Sequence, residues 1–219
     1  MGPYHRTMSY VAERREEEKE RRRLEIIEAA EALYAEKGWE AVTMDQVARG
    51  ARLSRALVYV YFRDKEDLLF AITSRALEEL RHRFEKAAAA HPLGIDQVSA
   101  MGRAYALFQQ ERPFQFDACS RYHAHQAHLG QPNELACSAA GDSVMGVMIE
   151  ALQRGIADKS IRPDIGDPLR VCFMLWAFTH GLIQLAINKS QEIASRGVEV
   201  SELMEEGRAM LRHMLMPYS

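Results

Sequence analysis

Cysteine is scarce in this chain of 219 residues, and its distribution argues against a disulfide framework. The three cysteines, Cys119, Cys137 and Cys172, are odd in number and far apart, in a chain long enough to form a core without cross-links. Reduced thiols are typical of the cytoplasm rather than of secreted proteins. Residues 1–23 contain no apolar run of the signal-peptide type, so we expect a cytoplasmic protein.

Long apolar runs are also nearly missing, and this bears on membrane insertion. The only membrane candidate is the run 171–187, which is shorter than the roughly 20 residues needed to span the hydrocarbon core. It also contains Thr179, His180 and Gln184, whose polar groups would need partners inside lipid. We therefore expect a helix buried in protein and no membrane association.

An excess of basic charge is lacking as well. The chain has 28 Lys+Arg against 31 Asp+Glu, a net charge of −3 and a pI of about 6.3, whereas nucleic-acid-binding domains often have a pI above about 9. A net charge averages over the surface, however, and binding occurs at a patch. The segment 49–65 holds five basic residues against one acidic residue, Asp64. The composition therefore predicts modest non-specific affinity for nucleic acid, with positive charge concentrated in one short segment.

Signals for β-strands are nearly absent, because strict apolar/polar alternation does not persist and no Asn-Gly or Asp-Gly hairpin turn occurs. Amphipathic segments with helical spacing instead predict an all-α protein of about nine helices. Turn and breaker residues, including Gly94, Gly155 and Pro168, divide residues 95–216 into about five of these. The last two helices follow long loops and are strongly apolar.

The segment 23–70 carries a dense series of helix-boundary signals. An amphipathic first helix ends before Gly38. Thr43 and Gln46 form a capping box that starts a short second helix, which ends at Gly50. Ser54 is a suitable N-cap for a third helix. Two short helices joined by a three-residue turn and preceded by a packing helix predict a helix-turn-helix, a DNA-binding motif.

The third helix has two different faces. Val58 and Phe62 fall on one side and can pack on the first two helices. The other side carries a mixed set of cationic, phenolic and small residues: Arg55, Ala56, Tyr59, Val60 and Arg63. Exposing a tyrosine and a valine together has no advantage on an ordinary surface, whereas a helix in the major groove of DNA gains contacts from both. The alternative is a three-helix packing unit whose arginines have no binding role.

The segment 13–23, ERREEEKERRR, precedes this motif and is almost wholly charged. Its oppositely charged pairs at i,i+4 spacing predict a solvated helical extension. An arm that reaches DNA through its terminal arginines is the alternative.

Residues 23–70 resemble the N-terminal DNA-binding domain of TetR-type bacterial transcriptional regulators. The resemblance rests on several short motifs: Gly38-Trp39, Thr43-x-x-x-Val47-Ala48, Leu53-Ser54, Tyr59-x-Tyr61-Phe62 and Lys65-Glu66-Asp67-Leu68. It implies three regions: an extension over 1–22, the helix-turn-helix domain over 23–68, and an effector-binding and dimerisation domain over 69–219. It also implies a homodimer that represses from a pseudo-palindromic operator and leaves the DNA when a small molecule binds.

The resemblance assigns roles to nine residues of this sequence. Backbone phosphates would be held by Thr43, Tyr59, Tyr61 and Lys65, with Arg52 and Ser54 at the turn. Arg55, Ala56 and Val60 would lie nearest the base edges. Ala56 stands where many members have glycine and Val60 where histidine is frequent, so a methyl contact with thymine could replace one polar contact.

Aromatic and polar side chains are mixed in the C-terminal two thirds, as a small-molecule cavity requires. Our candidates for effector binding are Phe108, Tyr122, His123, Trp176 and His180. Two apolar terminal helices, from Leu169 to Asn188 and from Ser201 to Met216, are predicted to form a four-helix interface between two copies. A long fourth helix, from Asp64 to Ala90, would join the DNA-binding motif to the cavity.

Two other function classes compete with this interpretation. A metal- or redox-responsive regulator could use Cys119, His123, His125 and His128, although the chain has no C-x-x-C pair and these side chains fall on two helix faces. A helical enzyme or a structural bundle would leave the helix-turn-helix unexplained. Because common catalytic, nucleotide and metalloprotease motifs are missing, we expect no enzymatic activity, no cofactor and no metal site.

Overall fold

A computed structural model describes residues 3–121 and 130–218, with side chains from residue 13 onward. Those residues form ten α-helices and one 3-10 turn, Trp39–Ala41. The helices are α1 (Pro3–Lys37), α2 (Met44–Gly50), α3 (Arg55–Tyr61), α4 (Lys65–Ala89), α5 (Gly94–Glu111), α6 (Pro113–Arg121), α7 (Pro132–Ala157), α8 (Pro168–Asn188), α9 (Ser190–Ala194) and α10 (Val200–Leu215). The predicted all-α class is confirmed, and no strand occurs within these two ranges. The helix beyond the predicted nine is α9, a single short turn after α8.

Helices α1, α2 and α3 pack around one apolar core, and the caps predicted from the sequence are present. The Thr43 hydroxyl accepts from the Gln46 N–H, and the Gln46 side chain accepts from the Thr43 N–H, which completes the capping box. Ser54 and Asp64 cap α3 and α4. The core is formed by fully buried side chains: Ile26, Ile27, Val47, Val58, Phe62, Leu68 and Ile72.

The C-terminal helices build a second core around α4, which packs against α5, α6 and α7. The sequence suggested a helix break at Gly155, but α7 continues past this residue to Ala157. Gly155 instead faces Gly94 at the start of α5 and the side chain of Ile161. The absence of a Cβ at Gly94 lets the backbones of α5 and α7 touch, and its absence at Gly155 leaves room for the Ile161 side chain.

Among the described residues, two helices, α7 and α8, are long and apolar enough to cross a membrane by length and composition alone. The sequence had pointed only to the second. Core helices of water-exposed proteins pass the same test, and α7 packs along α4 in the second core. Helix α8 keeps a large part of its apolar surface exposed on a single protomer, notably at Leu169, Phe173, Met174 and Leu185.

Candidate nucleic-acid interface and effector cavity

The turn between α2 and α3 positions the candidate DNA-binding residues. Arg52 in this turn has a φ of 56°, a left-handed conformation that disfavours residues with a Cβ. The following Leu53 N–H donates to the Ala48 carbonyl at 2.9 Å, and this bond closes the turn. Ser54 then begins α3 with its side chain accepting from the Leu57 N–H. The guanidinium of Arg52 is exposed next to the start of α3.

Helix α3 presents the outward face that the sequence predicts. Val58 and Phe62 are fully buried, whereas Val60 is 76% exposed and Tyr59 is 40% exposed. Arg55 and Ala56 are exposed beside them. Seven of the nine residues assigned to DNA are exposed, and the remaining two, Tyr61 and Lys65, are half-buried. Covering an apolar side chain that is as exposed as Val60 with another surface is favourable, because it removes apolar surface from water.

Arg55 is held between two neighbours on this face. Its Nε and Nη1 atoms lie 3.3 and 3.4 Å from the two carboxylate oxygens of Asp45 on α2. Its Nη2 atom donates to the Tyr59 hydroxyl at 3.5 Å, and its guanidinium carbon lies 5.5 Å from the centroid of the Tyr59 ring. Asp45 is not among the residues predicted from the sequence, because a carboxylate in the first turn of a helix is ordinarily explained by the helix dipole.

Lys65, at the N-terminus of α4, is engaged with the 3-10 turn. Its ammonium donates to the carbonyls of Trp39 at 2.6 Å and Glu40 at 3.3 Å, and it lies 4.9 Å from the centroid of the Trp39 ring. Burial lowers the pKa of Lys65 below its ordinary value. Since an ammonium has three N–H donors, one is still available for an anion in front of α4.

A cavity of about 370 Å³ lies among α4, α5, α6, α7, α8 and α10. Its walls are mainly apolar, with Phe84, Met101, Met148 and Leu175 among them. Polar groups also line it: Ser99, Asp142, Thr179, Arg208 and Arg212. A mainly apolar cavity with a few fixed polar groups is suited to a small organic molecule.

Only some of the predicted effector-binding residues that the structure describes line this cavity. Trp176 lines it, and its indole Nε1 donates to the Tyr105 hydroxyl at 3.2 Å. His180 lies behind that wall, with its Nδ1 atom 3.0 Å from the same hydroxyl and its ring stacked on Phe116. Burial raises the pKa of Tyr105 and lowers that of His180. The hydroxyl of Tyr105 therefore stays protonated beside a mainly neutral imidazole.

Phe108 does not line this cavity, contrary to the expectation from the sequence. It is fully buried in the core, with the guanidinium of Arg83 over its ring at 5.4 Å. The predicted residues Tyr122 and His123 lie outside the described residues. Arg208 and Arg212 were not anticipated, because two arginines one helical turn apart are common on amphipathic helices.

The structure describes only part of the residue set that the metal- and redox-responsive alternatives would use. No group of three or more potential metal ligands occurs among them. His123, His125 and His128 lie outside that part of the chain. Burial raises the pKa of Cys119, and it raises that of Cys137 to about 12 and that of Cys172 to about 11. Thiols with such pKa values stay protonated near neutral pH and are poor nucleophiles.

Polar contacts connect the cavity helices to the helix-turn-helix. On α6, the Asp117 carboxylate accepts from the Tyr34 hydroxyl of α1 at 2.7 Å, and Arg121 donates to Glu40 at 2.8 Å. Helix α6 also contributes Cys119 to the cavity wall. A displacement of α6 by a bound molecule would therefore change its contacts with α1 and with the 3-10 turn.

A second set of contacts joins α7 to the same region. Asn133, near the start of α7, accepts from Arg23 at 2.7 Å and donates to Asp67 at 2.9 Å. The other carboxylate oxygen of Asp67 accepts from the backbone N–H of Arg63, just after α3, at 3.0 Å. The series of contacts thus runs from α7 to the segment that follows α3.

Comparison with protein families gives two matches on this chain. Residues 26–72 match a family described as bacterial regulatory proteins of the tetR family. Residues 98–210, more than half of the chain, match a tetracyclin repressor-like C-terminal domain. The two matches cover the helix-turn-helix and the cavity-bearing helices, respectively.

Individual relatives agree with these matches. The HTH-type transcriptional regulator HbdR of Aromatoleum sp. (strain CIB) is 44% identical over 59 residues, which are 27% of this chain and only 26% of that protein. The HTH-type transcriptional repressor KstR2 of Mycobacterium tuberculosis is 27% identical over 152 residues, covering 66% of this chain and 71% of that protein. The structure of the regulator FadR of Bacillus subtilis in complex with stearoyl-CoA superposes with a TM-score of 0.65 at 14% identity, over 86% of this chain and 96% of that one. At that identity the structural likeness shows the fold alone.

Proposed function

Because this chain belongs to the TetR family of bacterial regulatory proteins, we propose that it is a ligand-responsive transcriptional repressor of the cytoplasm. It binds a pseudo-palindromic operator as a homodimer and is released by a small molecule. The observation that carries this proposal is the capped helix-turn-helix, whose exposed face combines Arg55, Tyr59 and Val60. A face of this composition offers donors, a ring and a methyl surface to a major groove.

The candidate DNA-binding residues divide by the part of the DNA that they contact. Thr43 and Lys65, at the N-termini of α2 and α4, hold phosphates where N–H groups and the helix dipole favour an anion. Tyr59, Tyr61, Arg52 and Ser54 add contacts to the backbone. Arg55 reads guanine, a bidentate contact worth about 1–3 kcal/mol of discrimination, and Ala56 and Val60 pack on thymine methyl groups.

The homodimer forms through α8 and α10. The apolar side chains that they expose on a single protomer lie on a surface that a second copy would cover: Leu169, Phe173, Met174, Leu185, Met210 and Met214. Two-fold packing of these helices sets the spacing of the two α3 helices, which must be about 34–36 Å to enter successive major grooves. The helix-turn-helix of residues 23–68 and the helical domain of residues 69–219 are the two regions coupled in this way.

The effector is a molecule with a long apolar part and an anionic group. The apolar walls of the 370 Å³ cavity would contact the first, and Arg208, whose side chain lines the cavity and is only 18% exposed, would donate hydrogen bonds to the second. Arg208 is paired with Glu205, which is mostly exposed and can be displaced by a ligand carboxylate or phosphate. The bound stearoyl-CoA of the FadR structure has both features. Movement of α6 would then carry the signal through Tyr34 and Asp117.

The reading of DNA can be tested with alanine variants of the phosphate-binding residues. We expect Lys65→Ala to weaken binding about tenfold on every sequence and to reduce the slope of log K against log salt by about 0.9. Tyr59→Ala should weaken binding about as much, and it also removes the contact of the Tyr59 hydroxyl with Arg55. Arg55→Ala should weaken binding and also relax specificity at one base position. Fluorescence anisotropy measures the affinity and its salt dependence between about 50 and 200 mM salt. The DNA probes are the region upstream of the gene that encodes this protein and an unrelated duplex.

Lys189→Ala supplies the matched control, since it removes the same charge from the end of α8, far along the chain from the helix-turn-helix. It should leave affinity and salt slope unchanged. Equal losses for Lys189→Ala and Lys65→Ala would contradict the assigned interface. The absence of any salt-dependent binding by the wild-type protein would contradict DNA binding itself.

The cavity can be tested by filling it. Gly102 lines the cavity, and a Cβ added there meets no atom within 4 Å. We expect stearoyl-CoA to raise the melting temperature of the wild-type protein. Gly102→Phe should lower the affinity for stearoyl-CoA at least about tenfold, because the phenyl ring occupies the space that the acyl chain requires. Calorimetric titration with stearoyl-CoA, with coenzyme A alone as the reference, measures this effect.

Gly146→Phe on α7 is the size-matched control, because its Cβ also meets open space but Gly146 does not line this cavity. Affinity for stearoyl-CoA should survive that change. Equal loss in both variants, or no binding of stearoyl-CoA to the wild-type protein, would contradict the assigned effector class.

A further inference from the structure

An acidic side chain lies on the surface that we assign to DNA. Asp45, in the first turn of α2, is exposed on 49% of its side-chain surface and faces Arg55. A carboxylate at such a surface repels phosphates and lowers affinity for every DNA sequence. Its presence beside the one arginine assigned to a base therefore calls for an explanation.

Protein stability does not account for the contact between Asp45 and Arg55. The Asp45–Arg55 contacts are 3.3 and 3.4 Å long and exposed on both sides, and exposed ion pairs of this kind contribute little to folding. The start of α2 is already capped by Thr43 and Gln46. The first-turn position of Asp45 also favours the dipole of α2, but that interaction does not depend on a contact with Arg55.

What Asp45 does is fix the position of the Arg55 guanidinium. Asp45 engages two of its nitrogens from the side of α2, and Tyr59 engages the third from the side of α3. A long side chain restrained before binding loses less entropy when it contacts its target. It is also less able to swing away to a nearby phosphate.

We propose that Asp45 is a specificity-determining residue that confines Arg55 to guanine. The proposal rests on the DNA-binding function argued above. On the correct sequence, Arg55 donates two N–H groups to guanine while Asp45 accepts from one of the three that are left. On a wrong sequence, Arg55 cannot recover binding energy from the phosphates without leaving Asp45, so the difference in affinity between the two sequences grows.

The test compares base preference with overall affinity. Wild-type protein, Asp45→Asn, Arg55→Ala and the double variant Asp45→Asn/Arg55→Ala are each used to select binding sites from a random duplex library. Their affinities are then measured for the selected site, for the same site with the guanine read by Arg55 replaced by adenine, and for unrelated DNA. We expect Asp45→Asn to bind unrelated DNA several-fold more tightly and to lose up to about tenfold of the guanine preference. In the Arg55→Ala background, Asp45→Asn should change the guanine preference no further.

Two further variants separate charge from position. Glu66→Gln removes the same charge from the exposed first turn of α4 and should tighten binding without changing the guanine preference. Asp45→Glu keeps the carboxylate and should restore most of that preference. An unchanged preference in Asp45→Asn, an equal loss in Glu66→Gln, or a wild-type preference that does not depend on Arg55 would each overturn the proposal. Failure of the wild-type protein to enrich any sequence would instead overturn the DNA-binding function on which it rests.

Discussion

Replacing Met174 and Met210 together by glutamate is expected to convert the protein into a monomer and to weaken operator binding at least about a hundredfold. The two side chains are 60% and 57% exposed on one protomer, on the apolar faces of α8 and α10. Two-fold packing of these helices would bury four carboxylates in an apolar interface without partners, and uncompensated buried charge is strongly destabilising. Each monomer would then hold only one half-site, without the effective concentration that a second linked half-site provides.

Sedimentation velocity at micromolar concentration measures the oligomeric state, and anisotropy measures the affinity. Leu107→Glu/Leu135→Glu is the matched control, because these leucines are similarly exposed on α5 and α7 but lie outside the α8 and α10 surface. That double variant should remain a dimer with unchanged operator affinity. A dimeric Met174→Glu/Met210→Glu protein, or a monomeric wild-type protein, would contradict the proposed interface.

The helix-turn-helix could be predicted from the sequence because its boundaries are set by local chemistry. A capping box needs only Thr43 and Gln46 at the right spacing, and the N-caps Ser54 and Asp64 act within three residues of themselves. The inward position of Val58 and Phe62 follows from the period of a helix. Each of these features depends on neighbours along the chain, so no tertiary information was required.

The cavity could be predicted only in outline, because its walls come from six helices whose relative placement is a tertiary property. An aromatic residue on the buried side of a helix can fill a core or line a space, and the sequence pattern is the same in both cases. Phe108 fills the core, whereas Trp176 lines the cavity. The contact of Asp45 with Arg55 was not predicted either, because the two residues belong to different helices.

Glycines show most clearly where local rules are insufficient. Gly94 and Gly155 both read as breaker residues in the sequence, yet Gly155 lies within α7, and the two glycines meet where α5 begins. The N–H of Gly94 donates to the Asp158 carboxylate at 2.8 Å, and that of Ile95 donates to the Ser160 hydroxyl at 3.1 Å. These bonds hold the first turn of α5 against the end of α7, and the same two helices line the cavity at Met101 and Met148.

Gly94→Ala is therefore expected to destabilise the protein by about 3 kcal/mol or more, although alanine is the better helix former. A Cβ at this position would lie 2.1 Å from the backbone nitrogen of Gly155, 2.3 Å from its Cα and 2.5 Å from the carbonyl oxygen of Ala151. All three are backbone atoms, so no side-chain rotation can relieve the overlap and α5 must move away from α7. Urea unfolding at a fixed protein concentration measures the loss.

Gly102→Ala, on the same helix, is the matched control, since its Cβ meets no atom within 4 Å. Helix propensity alone should then raise stability by roughly 0.5–1 kcal/mol. The two substitutions are chemically identical, so opposite signs would show that the contact between helices, rather than the loss of a breaker, fixes residue 94 as glycine. Because the displaced α5 also carries a cavity wall, Gly94→Ala should also weaken the proposed binding of stearoyl-CoA under conditions in which the variant is still folded. Similar stability of Gly94→Ala and Gly102→Ala would contradict the close approach of α5 and α7.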